Sequence, residues 1–111
     1  MSINHQSWSI CVLCYNEEGA IEEVLEKLNE FLSKELNSKF EVIVINDGST
    51  DNSKNIIENY IKNNQRFNIK LINHQNNLGI GMAIRSGYHA AQNENVMAMC
   101  GDGQFQLDDF K

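Results

Sequence analysis

The strongest constraint on the fold is the alternation of short apolar segments with amphipathic segments. Apolar residues in three longer stretches recur at helical spacing, and four shorter runs between them are β-branched or otherwise apolar. This order, β-α-β-α-β-α-β, predicts a mostly parallel sheet with right-handed crossovers and helices on both faces. We therefore expect a three-layer α/β/α fold. The predicted strands are 7–13, 40–46, 67–73 and 96–100, and the predicted helices span about 17–36, 51–63 and 79–92.

Length and charge limit the domain organisation and the partners. At 111 residues the chain has room for one compact domain, so we expect a single domain over residues 1–111. The formal net charge of −6, with Lys and Arg scattered, argues against a nucleic acid or an anionic membrane as the main partner. The chain has no apolar run near the ~20 residues of a membrane span and no signal-peptide pattern, which predicts a soluble, cytoplasmic protein. The oligomeric state is left open.

The cysteines and histidines do not indicate a metal or redox site. Cys11 and Cys14 fall within the first predicted strand, where three steps separate Cα atoms by roughly 10 Å and place the side chains on opposite faces. That separation exceeds the ~7 Å limit for a disulfide, so we expect two buried thiols. His5, His74 and His89 lack metal-ligand spacing and are expected at the surface or as capping residues.

Polar residues and glycines collect at the carboxyl end of every predicted strand, which is the strongest indication of a ligand site. In an open parallel sheet, ligands bind beyond these ends. The alternative is that such residues only build turns and helix caps, which is the expectation for Asn46, Ser49 and Asn73, and for Asn16 as N-cap of the first helix. The four strand ends are 14–18, 46–49, 73–79 and 101–104.

A role in turn building explains Asp102 less well than it explains the other polar residues at the strand ends. Asp102 follows the apolar run 96–100 directly and stands between Gly101 and Gly103. One glycine is enough for a turn, whereas two remove steric cover from the carboxylate and open it to a ligand or a metal. Gln104 places an amide two residues after this acid.

Four tracts, in order along the chain, together resemble the family 2 glycosyltransferases. They are "CYNEEGAI", "VIVINDGSTDNS", "NNLGIGMAIRSGYHAA" and "MCGDGQF", the last of which looks like the metal-binding D-x-D tract of that family. The D-G-Q within it resembles the polyprenyl-phosphate branch, which includes the dolichyl-phosphate mannose synthases. The resemblance implies a Rossmann-like GT-A fold, truncated to the half that binds a nucleoside-diphosphate sugar such as a UDP- or GDP-sugar.

The resemblance also implies roles for individual residues. Leu13, Tyr15 and Glu17 would lie beside the nucleoside, and Asp47 would accept hydrogen bonds from the base or the ribose. Asp102 would be the catalytic residue. A divalent cation, Mg²⁺ or Mn²⁺, would stabilise the charge of the departing diphosphate.

Gln104 and Arg85 are two further candidate ligand-binding residues. Gln104 would lie at the diphosphate and hold the cation together with Asp102. Arg85, on the third predicted helix, could approach the diphosphate, the alternative being an ordinary exposed arginine.

Cys100 occupies a position where the family usually has an acid, which weakens the expected metal site because a neutral thiol is a poor ligand for Mg²⁺. Leu13 replaces a proline that is common in the family.

The sequence also allows three alternative interpretations of its function. Gly79 and Gly81, with Asp102 about 20 residues on, partly match a dinucleotide-binding fingerprint, but Ile84 occupies the third glycine position. A receiver-like signalling module is a second alternative, but it would need a lysine at a later strand end, and this sequence offers none there. A third alternative is a catalytically inactive relative in which Cys100 has removed a metal ligand.

Family enzymes are longer, and their acceptor-binding half follows the D-x-D tract. We therefore expect a sugar-donor-binding fragment with little or no transferase activity alone. The resemblance implies a polyprenyl-phosphate or saccharide acceptor, bound by a further part. It also implies a place at the cytoplasmic face of a membrane for the full-length protein.

Overall fold

The computed structural model describes residues 7–35 and 39–102. They form a parallel β-sheet covered by helices, and strands and helices alternate along the chain as predicted. No helix in the described part is long and apolar enough to cross a bilayer. The strands are β1 (Ser7–Cys14), β2 (Lys39–Asp47), β3 (Ile69–His74) and β4 (Asn95–Cys100), and the helices are α1 (Ile21–Leu32), α2 (Ser53–Asn63) and α3 (Ile80–Ala90).

The sheet has the strand order β3-β2-β1-β4, and every pairing is parallel. The predicted parallel α/β fold is thereby confirmed. Because the strands are parallel, their carboxyl ends lie along one edge of the sheet. The residues at these ends are therefore the ones that can form a shared site.

The two faces of the sheet carry separate apolar cores. On β1 and β2, even-numbered side chains such as Val12 and Val44 pack with α1 and α2, whereas odd-numbered side chains such as Ile45 pack with α3. This division follows from the alternation of side chains along a strand. Cys11 and Cys14 consequently lie on opposite faces, and both are free and buried, as predicted.

Helix α1 begins four residues later than predicted, and Asn16 is not its N-cap. Asn16 has φ 53°, a left-handed conformation that cannot start a right-handed helix. The chain turns first: the carbonyl of Glu17 accepts hydrogen bonds from the N–H groups of Ala20 (3.0 Å) and Ile21 (2.8 Å). Ala20 is the N-cap residue and provides no side-chain cap. The prediction failed because the partners of Asn16 are distant in sequence, as shown below.

Candidate functional site

A cavity of about 410 Å³ lies at the carboxyl edge of the sheet, between the ends of β1, β2 and β4 and the start of α3. The structure brings together in its lining most of the residues that the sequence singled out. Those residues are Leu13, Tyr15, Glu17, Asp47 and Asp102, and the remaining lining comes from Cys14, Asn77, Gly79, Ile80, Ala83, Cys100 and Gly101.

Arg85 and Gln104 are not brought to this cavity by the described structure. Arg85 is exposed on α3 and is not part of the cavity lining. It stands two residues from each of the buried small residues Ala83 and Gly87, and a two-residue step turns a side chain to the other side of a helix. Gln104 lies outside the described residues.

The loop that carries Tyr15 and Glu17 is fixed by the loop after β2. Oδ1 of Asn16 accepts hydrogen bonds from the backbone N–H groups of Thr50 (2.8 Å) and Asp51 (3.3 Å). In return, the N–H of Asn16 donates to Oγ of Ser49 (2.9 Å). Asn16 therefore joins two loops, and its neighbours on either side line the cavity.

Negative charge is concentrated around Glu17. Its backbone N–H donates to Oγ of Ser53 at 2.9 Å, which fixes the main chain at this point. Burial raises the pKa of the Glu17 carboxyl, and the negative charges of Asp102 and Asp51 raise it further. The cavity thus favours a bound cation, because a cation would relieve this repulsion.

Gly101 is closely packed against β1 and α1. Its N–H donates to the carbonyl of Leu13 at 2.7 Å. A Cβ atom at position 101 would lie 3.1 Å from that carbonyl oxygen and 3.1 Å from Cδ1 of Ile21. The neighbouring Asp102 is exposed, whereas Gly103 lies outside the described residues.

The described residues fit a divalent cation that is shared with a bound phosphate. No group of three or more His, Cys, Asp or Glu side chains among residues 7–35 and 39–102 could form a metal cage by itself. Mg²⁺ is, however, commonly held by one or two carboxylates together with substrate phosphates. Asp102, with the charge of Glu17 beside it, matches that kind of site. The exposed thiol of Cys100 in the same lining adds no ligand suited to a hard cation.

Asp47 is buried at the end of β2, and its carboxylate is held by hydrogen bonds from the chain itself. The N–H of Leu78 donates to Oδ1 and the N–H of Gly79 donates to Oδ2, both at 2.9 Å. Burial by itself would raise the pKa of this carboxyl, but the hydrogen bonds from His74 and from these two N–H groups outweigh it, so the pKa is lowered. Asp47 is therefore ionised and firmly oriented.

His74 was expected at the surface or as a capping residue, but it lies largely buried in a cluster with Asp47. Its side chain is only 10% exposed, and Nδ1 lies 2.8 Å from Oδ1 of Asp47. Nε2 lies 2.8 Å from Oγ of Ser86 on α3. Both partners are distant in sequence, so no local pattern indicated the cluster. His89 is exposed on α3, as predicted, and His5 lies outside the described residues.

Comparison with known proteins identifies a family of enzymes that this chain matches. Residues 9–111 match the sequence model of a protein family described as "Glycosyl transferase family 2". A dolichyl-phosphate beta-glucosyltransferase of Trichomonas vaginalis is 37% identical over 107 residues, which are 93% of this chain and 32% of the relative. The chain thus spans about a third of the length of the curated relatives that head the comparison.

Solved structures show the same fold. TarS of S. aureus, in complex with UDP-GlcNAc, is 31% identical with a TM-score of 0.71, over 86% of this chain and 26% of that one. The mannosyltransferase PcManGT from Pyrobaculum calidifontis, in complex with GDP-Man and Mn²⁺, has a TM-score of 0.79 at 24% identity, over 92% of this chain and 29% of that one.

Proposed function

This chain belongs to glycosyl transferase family 2, and we propose that the cavity at the carboxyl edge of its sheet binds the nucleoside diphosphate of an activated sugar. The observation that supports this most directly is the convergence of Leu13, Tyr15, Glu17, Asp47 and Asp102 on one cavity. Similarity to TarS, whose structure contains UDP-GlcNAc, supports the same class of ligand.

The nucleoside is proposed to lie against the end of β1. Tyr15 is 45% exposed there and offers an aromatic face, with the half-buried Leu13 beside it. Asp47 presents a fixed, ionised carboxylate that can accept a hydrogen bond from a base N–H or a ribose hydroxyl. These contacts would orient the diphosphate toward β4.

The diphosphate and a Mg²⁺ or Mn²⁺ ion are proposed to lie at Asp102, which acts as the catalytic residue. Asp102 would hold the cation together with Gln104 and the phosphates, and Glu17 would maintain the negative potential that attracts it. When bound, such a cation stabilises the negative charge that develops on the departing diphosphate. A contact of Arg85 with the diphosphate would require its side chain to reach round from the exposed side of α3.

The acceptor is proposed to be a polyprenyl phosphate or, alternatively, a saccharide. Names of the curated relatives support the lipid phosphate, since several are dolichyl-phosphate beta-glucosyltransferases. Residues 1–111 would then form the sugar-donor-binding domain. Acceptor binding and full transferase activity would need further residues, at the cytoplasmic face of a membrane. A lipid phosphate is already anionic and can attack without a general base.

Calorimetry with UDP-glucose and GDP-mannose tests the proposal. We expect binding that depends on Mg²⁺ or Mn²⁺ and is lost with EDTA. Asp102→Asn should weaken metal-dependent binding at least about tenfold, the loss that even an outer partner of a metal site can cause. Glu58→Gln, an exposed change on α2, is the control.

Three results would count against the proposal. The first is equal affinity with and without EDTA, and the second is unchanged affinity in Asp102→Asn. The third is binding of NAD in preference to both nucleotide sugars, which would favour a dinucleotide-binding domain instead.

A further inference from the structure

The carboxylate of Asp47 has almost all of its acceptor capacity engaged. Oδ1 accepts from His74 and from the N–H of Leu78, and Oδ2 accepts from the N–H of Gly79. A carboxylate offers about four acceptor positions, so about one position on Oδ2 is left for a ligand. Asp47 is 5% exposed and is one of the residues that line the cavity.

His74 joins this carboxylate to helix α3. The ring bridges Asp47 at the end of β2 and Ser86 in the second half of α3, with both distances 2.8 Å. A serine hydroxyl can either donate or accept, so Ser86 satisfies Nε2 in either protonation state of the ring. With its ring 10% exposed and both nitrogens bonded, His74 is held in a single orientation.

The same cluster fixes one wall of the cavity. Gly79, whose N–H donates to Oδ2 of Asp47, directly precedes the first turn of α3, and Ile80 and Ala83 of α3 also line the cavity. A change at His74 or Ser86 would therefore affect two things at once. It would weaken the hold of the ring on the carboxylate, which keeps its two backbone N–H donors, and it would loosen the attachment of α3 beside it.

We infer that His74 and Ser86 are positioning residues for nucleoside recognition: they hold Asp47 so that its remaining acceptor position is presented to the cavity. The inference rests on the proposed function, because it assumes a nucleoside in this cavity. The ligand chemistry is a single N–H or O–H donor on the base or ribose. Neither His74 nor Ser86 belongs to the cavity lining, so both act through Asp47.

Binding of UDP and GDP in the presence of Mn²⁺ tests the inference, with the free energy of unfolding measured on the same samples. We expect His74→Ala and Ser86→Ala to weaken binding of the preferred nucleotide about three- to tenfold. His74→Asn should recover much of the affinity, because its amide can still donate to Asp47. His89→Ala, which changes an exposed histidine on α3, the helix that carries Ser86, should leave affinity unchanged.

Ring ¹⁵N signals give a second readout. Nucleotide addition should shift the signals of His74, which contacts Asp47, and leave those of His89 in place. Affinity within twofold of wild type in both alanine variants, together with unshifted His74 signals, would overturn the inference and leave the cluster a purely structural clamp. If the wild-type protein bound neither nucleotide, the proposed function would fail, and this inference would fail with it.

Discussion

Gly87 of α3 lies directly against Cys11 of β1. A Cβ atom at position 87 would be 2.6 Å from Sγ of Cys11 and 3.1 Å from its Cβ. Both residues are buried, together with Ala83 one turn earlier on the helix. Small residues on this side of α3 thus allow the helix to lie close to the sheet. The same helix contributes Ile80 and Ala83 to the lining of the cavity.

We predict that Gly87→Ala lowers the free energy of unfolding by about 1–3 kcal/mol, the usual cost of overpacking a core. The loss should be smaller in a Cys11→Ala background, because the sulfur that the new methyl group meets is then absent. Urea denaturation of the two single variants and the double variant measures this coupling.

Gly81→Ala is the matched control on the same helix. Among the described residues, a Cβ at that position has no contact within 4 Å beyond its chain neighbours and the backbone of its own helix, so alanine should stabilise α3 by about 0.5–1 kcal/mol. Equal destabilisation at positions 81 and 87 would show that the Cys11 contact is not the cause of the loss at position 87.

Asn16 should be sensitive both to its backbone conformation and to its side-chain amide. Asn16→Ala places a side chain that disfavours the left-handed region at φ 53° and removes the acceptor for Thr50 and Asp51, so we expect a loss of about 1–3 kcal/mol in unfolding free energy. Asn16→Gly relieves only the backbone strain and should lose less. Asn16→Asp keeps both features and should lose least. The same loss in all three variants, measured by urea denaturation, would contradict this account.

The sequence predicted the sheet and its helices because these depend on local periodicity. It also placed Tyr15, Asp47 and Asp102 at one edge, because parallel strands deliver their carboxyl ends together. It misjudged Asn16 and His74 for a common reason. Asn16 bonds to a loop 34 residues away, and His74 bonds to Asp47 across 27 residues. Their side chains show no local pattern that distinguishes such contacts from ordinary caps.

Glu41 provides a buried charge at the opposite end of the sheet. It is 4% exposed, and Oε2 accepts hydrogen bonds from Oγ of Ser9 (2.5 Å) and the N–H of Gln92 (2.6 Å). Nζ of Lys70 lies 3.1 Å from Oε1. Burial would raise the pKa of Glu41, but these hydrogen bonds and the charge of Lys70 outweigh it, so the pKa is lowered.

The lowered pKa of Glu41 predicts a pH-dependent contribution to stability. Above the usual value of 4.5 the carboxylate is charged in both states, and its stabilising contribution is complete. Below 4.5 the unfolded chain binds a proton first, so the contribution declines and is lost as the pH falls through the folded pKa. Glu41→Gln should therefore cost about 1–3 kcal/mol at neutral pH and less at pH 3–4. Glu58→Gln, exposed on α2, should cost little at either pH; a Glu41→Gln deficit that stays constant down to pH 3 would refute the linkage.

Cys100 precedes Asp102 by two residues, and its exposed thiol lines the cavity together with Asp102. Cys100→Asp adds a second carboxylate to the proposed cation site, and Mg²⁺ commonly binds one or two carboxylates together with substrate phosphates. We expect the affinity for a nucleotide sugar in the presence of Mg²⁺ to rise about tenfold, which corresponds to about 1.4 kcal/mol. Without the cation, affinity should fall, because the new charge adds to the repulsion between Glu17 and Asp102. Cys100→Ser matches the size of cysteine without adding charge and should behave like the wild type. If serine and aspartate changed the calorimetric affinity equally, position 100 would not contribute a ligand to the cation.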